Sequence, residues 1–469
     1  MSKFFGSDLH VINVGVSDFA DSMGSAGGLV TEVDWRPPGG SEEVARLLGS
    51  LVNHPTIEAA NSEAFSRYLG ADPCLVGVDT AAECIPGFGD RMLLHSGPPI
   101  GWENMCEPVR GAIIGACIYE SWASSPEEAL SLAKSGEILF APCHEHQAVG
   151  PMAGIISPSM SVWIVENGNG GNLSYSSFNE GLGKVLRFGA YDGEVMQRLE
   201  WMQKVLAPLL CETLKRVGRI DLGALMAQAL HMGDELHNRC PAATGLLLKR
   251  LVPDLVEVNS TPSELKSCLQ FMGSNDHFFL NISMAACKAT LDAAHGVPYS
   301  TMVTTIARNG VEIGLRVSGL GEEWVTCEAP IIDGLFFPGF DSSHANPDLG
   351  DSSITETAGL GGFAMAAAPA IVQFVGGTAE DANASSRSMS AITTGVNQKF
   401  TIPNLNFQAI HAGIDVRKVV DTGIVPIINT GIAHKDSGVG QIGAGISHVP
   451  QQVFLKALNR IGDLIPNAD

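Results

Sequence analysis

His10-Val11-Ile12-Asn13-Val14-Gly15, then Ser17, then Leu29-Val30-Thr31-Glu32-Val33-Asp34 form the stretch that sets the expected fold. An apolar run, a capping serine with room for a short helix, and a second apolar run read as strand, helix, strand. That is the order of a right-handed βαβ unit in a parallel sheet. Trp35-Arg36-Pro37-Pro38-Gly39-Gly40 stops the second strand. Working outward, a helix opens at Ser41 with Val44, Leu47, Leu48 and Leu51 on one face. Another spans about Pro55 to Leu69 with Gly70 behind it, and Cys74-Leu75-Val76-Gly77-Val78 returns as strand. The expectation is a Rossmann-like α/β domain over residues 1–85.

Residues 86–192 read as a mixed α/β segment. Ser125-Pro126-Glu127-Glu128 is a capping box that starts a helix running to Lys134 and stopping at Gly136. Ile138-Leu139-Phe140 and Ser161-Val162-Trp163-Ile164-Val165 look like strands. Residues 193–296 read as a helical domain inserted in the α/β body. Val195, Leu199, Met202, Leu206 and Leu209 repeat at helical spacing, as do Phe279, Ile282, Ala286, Ala289 and Ala293, and Thr261-Pro262-Ser263-Glu264 opens a further helix. Residues 297–469 are expected to form an α+β domain packed with 86–192. Their first element is a hairpin of Met302–Ala307 and Val311–Val317 about an Arg308-Asn309-Gly310 turn, and their last is a helix near 450–464. The fold class is thus α/β and multidomain.

Composition narrows the function. Apolar residues make up 45% and charged residues 17% of 469, the balance of a compact chain of two to four domains. A formal net charge of −22 argues against nucleic acid and anionic membranes as partners. A small anionic substrate stays open, because it needs only a local group of donors. Ten scattered cysteines without a C-x-x-C pair read as reduced thiols. Residues 1–8 lack an apolar signal core. The longest apolar run, Phe363 to Val375, contains Pro369 and Gln373 and is too short to span a bilayer. The expected location is the cytoplasm, with no membrane segment.

Three polar clusters stand out in apolar surroundings: Pro142-Cys143-His144-Glu145-His146-Gln147, His231-Met232-Gly233-Asp234-Glu235-Leu236-His237-Asn238 and Ser274-Asn275-Asp276-His277 through Asn281. Imidazole beside carboxylate suits proton transfer or metal binding. His144-x-His146 puts two imidazoles on one side of an extended segment, as in some zinc sites, but a third ligand is not evident. The expectation is no metal and no cofactor, with acid–base work and ordinary loop hydrogen bonding as the remaining readings. On a helix His231, Asp234, Glu235 and Asn238 share a face while His237 points elsewhere. The bland alternative is a solvated helix face, which the missing lysines disfavour. The catalytic candidates are His144, His146, His231, Glu235 and His277, expected to converge on one cleft.

A second set could hold an anion. Arg308 at the hairpin tip and Arg316 in its second strand can grip carboxylate or phosphate, although an exposed turn explains them equally well. Asn429-Thr430-Gly431 should leave the carboxyl end of a buried strand. His434, Lys435 and the N–H groups of Gly438 and Gly440 could complete a nest. The alternative is a tight glycine turn against the final helix. Gly438-x-Gly440-x-x-Gly443 matches the dinucleotide fingerprint by letter only, since 26 residues remain after it. No Walker loop, Gly-x-Ser-x-Gly elbow or His-Glu-x-x-His helix is present.

Several longer motifs carry a resemblance. Val33-Asp34-Trp35-Arg36-Pro37-Pro38, Pro142-Cys143-His144, Ala148-Val149-Gly150-Pro151-Met152-Ala153-Gly154, His231-Met232-Gly233-Asp234-Glu235, Asn275-Asp276-His277-Phe278-Phe279-Leu280-Asn281, Ala307-Arg308-Asn309-Gly310 and Asn429-Thr430-Gly431-Ile432-Ala433-His434 are among them. Together with the first strand they make the chain similar, over nearly its full length, to the YlbE/YahG-type bacterial family, long catalogued as a domain of unknown function. That family includes the AllG subunit of oxamate carbamoyltransferase. The resemblance implies a cytoplasmic subunit that works with two others, one of them acyl-CoA-synthetase-like, in purine-nitrogen (allantoin) catabolism. The implied reaction moves a carbamoyl group between oxamate and phosphate. It assigns no residue roles, and it leaves open homo-oligomerisation and a non-catalytic scaffold role. The Ser-x-Thr-Arg-Thr phosphate loop of ordinary carbamoyltransferases is absent.

Overall fold

The computed structural model describes residues 10–14, 16–33 and 37–465. Its architecture is mixed α/β with several separate sheets. The opening strand–helix–strand is there: His10–Val14 and Leu29–Val33 pair in parallel, with helix Ser17–Ser25 between them. Among the described residues no third strand joins this pair, and Ile12 and Phe19 are 72% and 67% exposed. The stop expected at Trp35-Arg36 lies outside the described residues, as do residues 1–8.

The expected continuation into a Rossmann-like sheet does not occur. Strand Pro73–Thr80 runs antiparallel to both Ser161–Asn167 and Ile220–Asp221, inside a five-stranded sheet whose other members are Leu173–Ser177 and Ala148–Val149. The physical reason lies in burial. Leu75 and Val78 belong to the largest apolar core, with Leu210, Leu214 and Leu225 of the helices packed on their strand, whereas the first two strands carry Asn13, Thr31 and Glu32 among their apolar residues.

Residues 193–296, expected as an inserted helical domain, are mostly helix, broken by the two-residue strand Ile220–Asp221 and by loops at 232–240, 256–261 and 275–279. Their apolar faces belong to the same core as that sheet and as residues 354–412. Local signals acted as written. Ser125 Oγ accepts from Glu128 N, and Gly136 ends that helix in the left-handed region. Thr261 and Glu264 bond reciprocally across the first turn of Pro262–Ser274.

The expected hairpin forms, with Val303–Asn309 antiparallel to Glu312–Val317. The short strand Leu349–Gly350 pairs with the other edge of Val303–Asn309. A three-stranded sheet orders Asp333–Phe336, Gln441–His448 and Ile427–Ala433. Asn429, Thr430 and Gly431 therefore sit inside a buried strand and do not emerge at its end, which corrects that reading. Residues 345–357 stitch these units together. Asn346 N donates to Ala433 O, Asp351 N donates to Gly150 O, and Gly350 bridges Pro151.

Candidate functional site

Ala345-Asn346-Pro347-Asp348-Leu349-Gly350-Asp351-Ser352-Ser353-Ile354-Thr355-Glu356-Thr357 brings three fully buried carboxylates into the middle of the molecule: Asp348, Asp351 and Glu356. A two-residue strand followed by one helical turn aims them in different directions. Gly350 is required at the crossing. Its φ is 119° and a Cβ there would lie 2.5 Å from Met152 N.

Glu356 faces the 231–239 segment. Helix Leu222–His231 ends before the acidic residues because Gly233 and Leu236 adopt φ values of 97° and 72°. A leucine in the left-handed region is strained, at a cost of about 1–3 kcal/mol. Leu236 is held there by its N–H to Arg239 O and by Ser283 Oγ donating to its carbonyl. The kink turns Glu235 and His237 inward together. His237 Nδ1 is 2.8 Å from Glu356 Oε1. Glu235 Oε1 accepts from Arg239 N at 2.6 Å and from His237 N at 3.2 Å, and Asn429 Nδ2 reaches Glu235 Oε2 at 3.3 Å. Burial above all raises the Glu235 carboxyl to about 7; His237 opposes the shift and the Glu356 charge adds to it. Asn429 Oδ1 has no partner. An amide flip would let that oxygen accept from a protonated Glu235, since oxygen and nitrogen assignments in amides are interchangeable.

Asp351 faces the other way. Its oxygens accept from Gly97 N at 2.8 Å and Gly150 N at 3.0 Å. Burial lifts this carboxyl to about 7, against the pull of those amides and of Arg308 and Lys288. His144 Nε2 lies 3.5 Å from Asp351 Oδ1 without hydrogen-bond geometry, and neither ring nitrogen of His144 has a partner. The His144 carbonyl accepts from Lys288 Nζ at 3.2 Å and Arg316 Nη1 at 3.4 Å. Burial, then Lys288, Arg316 and His295, push the His144 imidazole well below its ordinary range. A neutral, unpaired imidazole among cations is the result.

Arg308, an anion-ligand candidate with an exposed turn as its alternative, is fully buried. It bonds Gly350 O, Ser353 Oγ, Asp348 Oδ1 and Thr430 Oγ1, so its terminal nitrogens are committed inside the fold. The remaining sequence candidates separate. His231 is exposed and meets Thr401 Oγ1 at 2.8 Å. His146 is half-buried beside Pro86 O, because Cys143–His146 is a 3-10 turn and not an extended segment. His277 flanks the Glu235 group: burial, Arg187 and His237 lower its pKa to about 3. Arg187 and Glu180 line a cavity of about 40 Å³, room for water but not for a substrate. Gly431 is buried in its strand, and Gln441 packs where a side chain would stand. His434 Nδ1 accepts from Asp436 N. Lys435 is exposed and donates to Ser343 O. Gly438 N donates to Phe188 O and Gly440 O accepts from His434 N, within the turn between two antiparallel strands.

The structure thus joins His144, Glu235, Arg308, Asn429 and Thr430 through residues 345–357, with His277 at the margin. It adds His237, Lys288, His295, Asp348, Asp351 and Glu356. Lys288 has a visible signal, as the only charged residue before Asp292 in a largely apolar helix. Asp348, Asp351 and Glu356 share the cue of the histidine clusters, acids without lysines nearby, and His344 precedes them by four residues or more. Among the described residues no group of three or more His, Cys, Asp or Glu side chains has the geometry to hold a metal ion, and no helix is long and apolar enough to cross a membrane.

Comparison with known proteins gives the family. Residues 138–352 match the family described as oxamate carbamoyltransferase subunit AllG. That span holds His144, Glu235, His237, Lys288, Arg308 and Asp351. The chain is 48% identical to the uncharacterized protein YahG of Escherichia coli (strain K12) over 460 residues, 97% of this chain and 98% of YahG. It is 45% identical to the oxamate carbamoyltransferase subunit AllG of the same organism over 411 residues, 87% of this chain and 98% of AllG. A crystal structure of a conserved protein of unknown function from Enterococcus faecalis V583 matches with a TM-score of 0.86 at 48% identity, covering 87% of this chain and 98% of that one. The chain belongs to the family of YahG and AllG.

Proposed function

We propose that this chain supplies the proton-transfer groups of a carbamoyltransferase complex acting between oxamate and phosphate, together with two further subunits, one acyl-CoA-synthetase-like. The setting is the breakdown of purine nitrogen in the cytoplasm. In the phosphorolytic direction a phosphate oxygen attacks the ureido carbonyl of carbamoylated oxamate. The carbonyl's bond to the oxamate nitrogen then breaks, and that nitrogen takes a proton. The observation that carries the reading is Glu235, a buried carboxyl raised to about 7 and backed by Glu356, His237 and Asn429. A group that is half protonated near neutrality can give the leaving nitrogen its proton and reclaim it in reverse. AllG is named a subunit, which supports activity that depends on partners.

The scaffold reading has one observation in its favour: Glu235 and Glu356 are fully buried and bonded from several sides. Glu235→Gln in the assembled complex separates the two. It keeps shape and acceptor geometry while removing the exchangeable proton, so proton transfer predicts a fall in kcat of about 100-fold with KM and assembly unchanged. Undiminished turnover in an intact complex would leave the scaffold reading standing.

A further inference from the structure

Around His144 two buried cations, Lys288 and Arg316, meet one buried carboxylate, Asp351. Lys288 and Arg316 are 1% and 4% exposed and converge on one carbonyl oxygen, that of His144. Arg316 Nε, His295 Nε2 and both His144 ring nitrogens are buried without partners. Trp324 stands over the Arg316 guanidinium at 5.8 Å and edge-on to His144 at 6.0 Å, walling the group on one side. The carboxylates that neutralise the two cations come from the rim. Asp292 holds Lys288 at 2.6 Å, and Glu322, whose side chain is 81% exposed, bonds Arg316. In a chain of net charge −22, buried donors facing a solvent-exposed carboxylate mark a place where one anion can exchange for another.

We propose that Arg316, Lys288, His144 and His295 form a binding site for a small oxyanion, phosphate or carboxylate, with the Glu322 side chain occupying Arg316 until the ligand displaces it. The incoming anion would take the guanidinium face that Glu322 leaves and accept from the unpaired Arg316 Nε and from imidazole N–H groups. Trp324 would shield it from water. Both co-substrates of carbamoyl transfer carry such an oxyanion, and only the assignment of this site to a co-substrate rests on the function proposed above. Anion binding itself needs neither turnover nor partner subunits.

Calorimetry on the full chain tests this with inorganic phosphate and oxamate titrated separately. Wild type is expected to bind at least one of them. Glu322→Gln, an exposed change that leaves the fold intact, should tighten that binding about threefold or more by removing the competing carboxylate. Arg316→Met should weaken it at least tenfold. Phosphate alone, oxamate alone or both binding identifies the source. If neither binds even to Glu322→Gln, or if Glu322→Gln leaves the affinity unchanged, the cluster is structural and the site is refuted. A complex that loses turnover with Glu235→Gln while this chain binds no anion would keep the proposed function and overturn this inference alone.

Discussion

The two sides of the buried polar centre obey one rule with opposite outcomes. Around Glu235 and Glu356 carboxylates crowd together, and burial raises the Glu235 carboxyl to about 7. Around His144 cations crowd together, and burial drives the imidazole well below its ordinary range. In each case desolvation is the largest cause, and it favours whichever form is neutral. Residues 345–357 serve both sides, giving Glu356 to one and Asp351 to the other. Glu235 thus keeps an exchangeable proton near neutrality, as Asp351 does on the other side, and the cation side adds unpaired ring and guanidinium nitrogens. These are different tools, and a transfer reaction of anions needs both.

The largest loss is expected at Glu356. Its carboxylate accepts from His237 Nδ1, Thr355 Oγ1, Gly362 N and Asn429 N. Glu356→Ala would take the acceptor from His237, Gly362 and Asn429, while Thr355 Oγ1 keeps Ser352 O at 2.8 Å, and breaking a buried pair of this kind costs about 3–5 kcal/mol. Chemical denaturation should show that loss. A change below about 1 kcal/mol would mean the donors find other partners and that the carboxylate side is not a unit. Gly361 guards the same spot, since at φ 54° a Cβ there would sit 2.1 Å from Glu356 Oε1.

The smallest effect is expected at Lys435, where a glycine nest was anticipated from sequence. Its ammonium donates to Ser343 O at the surface, and the nearby glycine amide of Gly438 is already paired. Lys435→Ala should shift stability by no more than about 0.5 kcal/mol and leave phosphate affinity unchanged in calorimetry. Lost affinity would move the anion site from Arg316 to the 434–440 turn.

Much of the local structure was legible because its signals are local. Ser125 and Thr261 fix helix starts through bonds spanning three residues, Gly136 ends a helix by its left-handed backbone, and the 303–317 hairpin needs only its own turn. Strand partnership was not legible. Cys74–Val78 reads as a strand from its composition, but its partners at 161–167 and 220–221 are chosen by burial against distant helices. The site was half legible for the same reason. Glu235 was recognisable as an acid in apolar surroundings. His237 was set aside because a continuous helix places it on another face, and only the left-handed backbone of Gly233 and Leu236 turns it inward. Glu356 comes from 121 positions beyond Glu235, in a Ser- and Thr-rich run that reads as an ordinary loop.

Glu235 and His144 answer burial in opposite senses, one holding a proton and one refusing it, and the pH dependence of folding stability tests this directly. The Glu235 carboxyl, raised from 4.5 to about 7, binds its proton more tightly in the folded chain. Its contribution is therefore complete below pH 4.5 and is lost as pH rises through about 7. The His144 imidazole, held below 6.5, does the reverse: its contribution is present above pH 6.5 and is lost on acidification. Denaturation of wild type, Glu235→Gln and His144→Gln across that range isolates each group. Wild type should lose about 3 kcal/mol relative to Glu235→Gln between pH 4.5 and pH 7, and should lose stability relative to His144→Gln as pH falls below 6.5. If the Glu235→Gln difference is flat with pH, or grows in wild type's favour as pH rises, Glu235 is ionised like any surface carboxylate and the division into two sides fails.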